Sequence, residues 1–227
     1  MDFIILIILL VTAIAQFVIA ILSFINGGLV RKTIFAAIVM LLGAVWTFIF
    51  SNVFPLTETN VVLINQVVII IGVILFYFVS LLGLSFLDIK AKKFYLLALL
   101  MSTPVICTSV AAVLNIGLFF PSLYVDGDTV HLEANFATLG MTVVMMVAYV
   151  GTAVAALIVA RKRATTKLGK KLIRNVIIGI IIGFLFPVIF NIANAEVHEA
   201  HMIGPFGLLA MALLSYSALV KHGDDQL

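Results

Sequence analysis

The sequence predicts an all-α integral membrane protein: one bundle of seven transmembrane helices over residues 1–227, N-terminus outside and C-terminus inside. Three observations carry that reading. The chain is 64% hydrophobic and 10% charged, with a mean hydropathy of +1.32, more apolar surface than a water-soluble domain of this length can hide. Seven uncharged apolar runs are each long enough to cross a hydrocarbon layer of roughly 30 Å. All thirteen Lys and Arg residues fall in alternate connections between those runs, the bias that orients membrane proteins.

The runs are Phe3–Ile25, Ile34–Phe54, Val61–Leu87, Phe94–Val113, Asn135–Ala160, Asn175–Ala193 and Met202–Val220. Arg31 and Lys32 follow the first, and Lys90, Lys92 and Lys93 follow the third. Seven cations from Arg161 to Arg174 follow the fifth, and Lys221 follows the seventh. The opposite side has no Lys or Arg and carries Asp2, Glu58, Asp126, Asp128, Glu133, Glu196 and Glu199 with His131, His198 and His201. Basic loops stay in the cytoplasm, which places this chain in the plasma membrane with its C-terminus inside. Ala13-Ile14-Ala15 resembles a signal-cleavage site, but Asp2 is acidic and the apolar run continues to Ile25, so a retained anchor is expected. The lone Cys107 reads as a small core residue of helix four.

Connections are short, so sequential helices should pack as antiparallel neighbours. The longest are an outer loop over 115–134 and the basic inner loop Arg161–Arg174. That inner stretch has no acid; it suits anionic lipid headgroups rather than nucleic acid, or serves topology alone. Pro104, Pro187 and Gly204-Pro205 interrupt helices four, six and seven, either as ordinary membrane-helix geometry or as hinges. Gly179 and Gly183 form a small-xxx-small pair that permits close helix approach.

No Asp, Glu, Lys, Arg or His lies inside a run. That excludes a microbial-type retinal pigment, whose last helix needs a lysine, and argues against proton pumps and voltage sensors. Serines occur at membrane depth without a histidine or carboxylate to activate them, so no catalytic residue and no enzyme activity are expected. The neutral polar groups instead gather toward outer helix ends: Asn52, Asn65, Gln66, Asn115, Asn135, Asn191 and Asn194. They could line a cup for a small apolar or amphipathic ligand, oriented by Asn65, Asn115, Asn191 and Asn194, with Trp46 and Tyr77 as walls. The plainer reading is interhelical hydrogen bonding, each bond contributing about 1 kcal/mol or less.

The outer segment Glu196-Val197-His198-Glu199-Ala200-His201 sets two imidazoles three apart with carboxylates between them. On a helical turn His198 and His201, with Glu199, could hold zinc or copper. The spacing is not the H-E-x-x-H of metalloproteases, and a polar cap on the helix ends or a pH response explains it as well. Without that metal, no cofactor is expected. A small-solute or metal transporter, or a membrane enzyme with an outer-face metal site, is the alternative to a receptor.

Several landmarks go further. Asn26 closes helix one, Trp46 ends Leu41-Leu42-Gly43-Ala44-Val45-Trp46, and Pro104 and Asn115 mark helix four. Lys170-Lys171-Leu172-Ile173-Arg174 precedes helix six, followed by Pro187, Asn191 and Asn194. Gly204-Pro205-Phe206-Gly207 opens helix seven, and Tyr216 stands near its inner end. In these the chain resembles the N-terminal seven-transmembrane sensor region of bacterial histidine kinases. Ile116-Gly117-Leu118-Phe119-Phe120 stands where that family often carries histidines. The resemblance implies a sensor of a two-component system, signalling through helix seven to a kinase region beyond Leu227 or to a cytoplasmic kinase partner, as a homodimer or alone.

Overall fold

Lipid offers no hydrogen bonds to a polar backbone, so a chain this apolar must satisfy its amides within helices. The computed structural model describes residues 3–27, 30–50, 61–114, 122–126, 129–133, 136–185 and 203–219. Its helices are α1 (Phe3–Asn26), α2 (Arg31–Phe50), α3 (Val61–Ser85), α4 (Ala91–Val113), α5 (Phe136–Arg163), α6 (Lys167–Ile180) and α7 (Ile203–Leu219). A π-helical turn, Ile181–Leu185, continues α6. Among the described residues five segments are long and apolar enough to cross a membrane: Leu6–Asn26, Arg31–Ile49, Gln66–Ser85, Ala91–Val113 and Val143–Arg163. Pro205–Leu219 is a shorter apolar helix. The chain is a helical membrane protein.

Four expectations are corrected. The inner stretch Arg161–Arg174 is helical except at 164–166: α5 runs to Arg163, and α6 starts at Lys167 rather than Asn175. Likewise α2 starts at Arg31 and α4 at Ala91, ahead of the expected Ile34 and Phe94. Charge ends the hydrocarbon layer but not the helix, since Lys and Arg are good helix formers. Thr166 then caps α6, its hydroxyl oxygen accepting the Gly169 N–H at 2.9 Å. Second, the outer loop contains an antiparallel hairpin, β1 (Ser122–Asp126) with β2 (Thr129–Glu133), in the register Ser122 to Glu133 and Asp126 to Thr129. The hairpin was legible in sequence: Gly127-Asp128 separates Leu123-Tyr124-Val125 from the alternating Thr129–Glu133. Third, Cys107 is exposed rather than in the core.

The fourth correction concerns packing. α3 packs against α2, α4 and α5, and α7 packs against α1, α2 and α6. α5 meets α3 directly, so α4 packs on α3 at the edge of the bundle, while the other sequential described helices are neighbours as expected. α4 buries only the face of Phe94, Ala98, Val105, Thr108 and Ala112, positions one or two turns apart. Its other faces carry exposed Leu96, Leu99, Leu100, Ile106 and Val110.

The direct α3–α5 contact depends on Gly83. A Cβ there would lie 2.5 Å from the Ala153 Cα and 2.7 Å from its carbonyl oxygen. Only hydrogen fits. The largest buried cluster runs from Val39 of α2 through Leu75 and Val79 of α3 and Val150 and Leu157 of α5 to Ile180 and Met211.

The described basic residues of α2, α4, α5 and α6 share one end of the bundle. The Arg31 guanidinium stands 4.9 Å over the Phe94 ring, and the Lys32 ammonium 5.5 Å over Phe86. Phe86 and Leu87 belong to the same packed region as Ala164 and Leu168 from the α5–α6 turn.

Candidate functional site

A side-chain amide buried in an apolar bundle needs partners, because an unmet group there costs more than a bond contributes. Gln16 is 1% exposed and finds partners on two other helices. Its Nε2 donates to the Pro205 carbonyl of α7 at 3.0 Å, and its Oε1 accepts from the Thr47 hydroxyl of α2 at 3.2 Å. Thr47 is fully buried. Gly43 lies beside the amide, where a Cβ would sit 3.5 Å from Oε1. A glutamine has two donors and two acceptor positions, so each end of this amide keeps one for another partner.

Pro205 belongs to the first turn of α7, where its missing N–H is tolerated. Beyond it α7 lies tight on α6. A Cβ at Gly179 would stand 3.2 Å from the Met211 Cα, and one at Gly183 would stand 3.4 Å from the Gly207 carbonyl oxygen. The small-xxx-small pair is therefore the α6–α7 seam. Gly183 lies inside the π-helical turn. On α7 the Ser215 hydroxyl is buried with no hydrogen-bond partner among the described residues. Near the basic end, the Asn26 side-chain amide donates to the Tyr216 hydroxyl at 3.4 Å. α7 thus meets α1 through polar contacts near both ends.

Trp46 is half-buried against the main cluster, and its Nε1 faces α3 at Gly72, 3.9 Å from where a Cβ would stand. Tyr77 is elsewhere. Its hydroxyl donates to the Ala98 carbonyl of α4 at 3.0 Å, and its ring meets Tyr149 of α5 edge-on at 6.3 Å. The Tyr149 hydroxyl donates to the Met101 carbonyl. Both bonds fall on the turns of α4 just before Pro104, where the helix lacks one of its own N–H donors. Trp46 of α2 thus faces α3, and Tyr77 of α3 faces α4 and α5.

The side chain of Asn65 and all of Asn115, Asn191, Asn194, His198, Glu199 and His201 lie outside the described residues. Among the described residues no group of three His, Cys, Asp or Glu could hold a metal ion. Sequence reading noted Gln16 as a neutral polar residue but not as a site. The signal was present: Gln16 is the one strongly polar side chain between Phe3 and Ile25.

No family model, curated protein or solved structure matches this chain.

Proposed function

We propose that the chain is the signal-receiving module of a membrane sensor, with seven spans in the plasma membrane, its N-terminus outside and its C-terminus inside. α6 with its π-helical turn and α7 supply the two spans beyond the five long apolar segments. The thirteen basic residues on alternate connections support the orientation. One observation carries the functional reading: the Gln16 amide ties α1 and α2 to the first turn of α7 and keeps one donor and one acceptor position open. A small amphipathic molecule entering the outer half of the bundle would compete for that amide. Freed from Gln16, α7 would shift along its glycine seam, and the Asn26–Tyr216 contact would change near the inner end. A ligand moves such a balance only through its different affinity for the two arrangements. The output leaves through the inner end of α7 toward Lys221, to a kinase region or partner.

Trp46 is the only tryptophan in the chain and precedes Thr47, so its fluorescence reports on this region. Medium-chain alcohols, fatty acids and fatty amides should be titrated against the purified protein. A saturable change in Trp46 emission with one class, abolished in Gln16→Leu, is the expected result. No saturable response to any class, or an equal response in Gln16→Leu, would remove the support for a ligand at this amide. Topology is tested separately. Cysteine at Asp128 should react with an impermeant reagent on whole cells and cysteine at Thr166 should not, both in a Cys107→Ser background.

A further inference from the structure

α5 and α6 enclose a second site at the basic end. Between the last turns of α5 and the first turns of α6 lies an open groove of about 380 Å³, lined by Ile158, Arg161, Lys162 and Lys170. Its volume falls within the roughly 300–1,000 Å³ of small-molecule sites. The groove is held in place by a three-residue turn, by the Thr166 cap on α6, and by Leu172, Ile173 and Val176 packed inward. Lys167, Lys171 and Arg174 are exposed around it. The chain has no acidic residue between Glu133 and Glu196, and among the described residues no carboxylate forms an ion pair with Arg161, Lys162 or Lys170.

We infer that this groove binds the phosphate of an anionic lipid headgroup. Three cations line one concavity, and phosphate supplies negative charge with acceptor oxygens for several donors at once. The same chemistry is shared by free phosphate, but the fourth lining residue favours a lipid. Ile158 continues an outward-facing strip of α5 that includes exposed Val144, Val147, Gly151 and Ala155. An acyl chain lying along that strip would place its headgroup between Arg161 and Lys170. The inference does not rest on the sensor reading.

The test uses the full chain purified in neutral detergent and native mass spectrometry, with phosphatidylglycerol and phosphatidylcholine supplied in equal amounts. Phosphatidylglycerol should be retained preferentially. The triple change Arg161→Gln, Lys162→Gln, Lys170→Gln should weaken that retention on the order of a hundredfold, since each cation at a membrane surface contributes about a factor of five. Lys90→Gln, Lys92→Gln, Lys93→Gln removes the same charge at the same end and should leave retention unchanged. Single Lys170→Gln, on an exposed helical position, should weaken it about fivefold and keeps the test decisive if the triple variant misfolds. Equal loss in the two triple variants would overturn the inference in favour of diffuse surface charge. Equal retention of phosphatidylcholine would also overturn it. Displacement of the lipid by an equal concentration of inorganic phosphate would reassign the groove to a free anion.

Discussion

α7 and α4 are held in the bundle by opposite means. α7 approaches α6 backbone to backbone over Gly179 and Gly183, with a buried amide fastening its first turn. α4 is held by side chains instead: Tyr77 of α3 and Tyr149 of α5 reach its carbonyls, and its Thr108 hydroxyl donates to the Met145 sulfur of α5 at 3.1 Å. Lipid is as apolar as leucine, so neither helix is driven inward by the hydrophobic effect. What remains is contact area for α7 and a few directed bonds for α4. A close glycine seam fits only a few arrangements, so shifting α7 changes its packing throughout. α4 can tilt while its tyrosine bonds follow. The difference makes α7 the element suited to carrying a state and α4 a peripheral support.

The largest effect should come from a glycine crossing. Gly83→Ala drives a methyl group into the Ala153 backbone, and overpacking of this kind should cost about 3 kcal/mol, read as a lower midpoint in detergent-unfolding titrations. Tolerance of alanine there would mean that α3 and α5 do not cross so closely. Next comes the fastening of α7. Gln16→Leu leaves the Thr47 hydroxyl without its acceptor and the Pro205 carbonyl without its side-chain donor, and should cost about 1–2 kcal/mol. Spin labels near the inner ends of α1 and α7 should also report a broadened distance distribution. An unchanged distribution would separate the amide from the position of α7.

Tyr149→Phe removes one directed bond to α4 and should cost about 0.6 kcal/mol, the average for interhelical bonds in membranes. Disulfide trapping between α6 and α7 should be unaffected. If that trapping changes, α4 is coupled to the seam and the contrast between the two helices fails. The smallest effect should have the opposite sign. Gly151 faces open space on the lipid side of α5, so Gly151→Ala should stabilise by about 0.5 kcal/mol through helix propensity alone. Together with Gly83→Ala, it measures how much a glycine matters for its contact rather than its presence.

The positions of Arg31, Lys90 and Arg161 in sequence were enough to fix which connections share an end. Hydrocarbon rejects charge whatever the fold, so the segments and their alternation are local properties of composition. Helix ends were less legible. The same rejection marks the edge of the bilayer and not of the helix, which is why α6 begins eight residues before its expected start, at Lys167 instead of Asn175. Gly179 and Gly183 announced a close contact but not that α7 would be the partner.

The candidate site was least legible. Gln16, Thr47 and Pro205 are far apart in the chain, and no spacing rule joins them. Trp46 and Tyr77 looked like two walls of one cup; Trp46 of α2 meets α3 at Gly72, and Tyr77 of α3 bonds to α4. Composition by itself determined the solvent, and with it the helices. Partner choice was decided only by the tertiary structure. In lipid most faces of an apolar helix are nearly equivalent, and small differences in close approach and a few hydrogen bonds select among them.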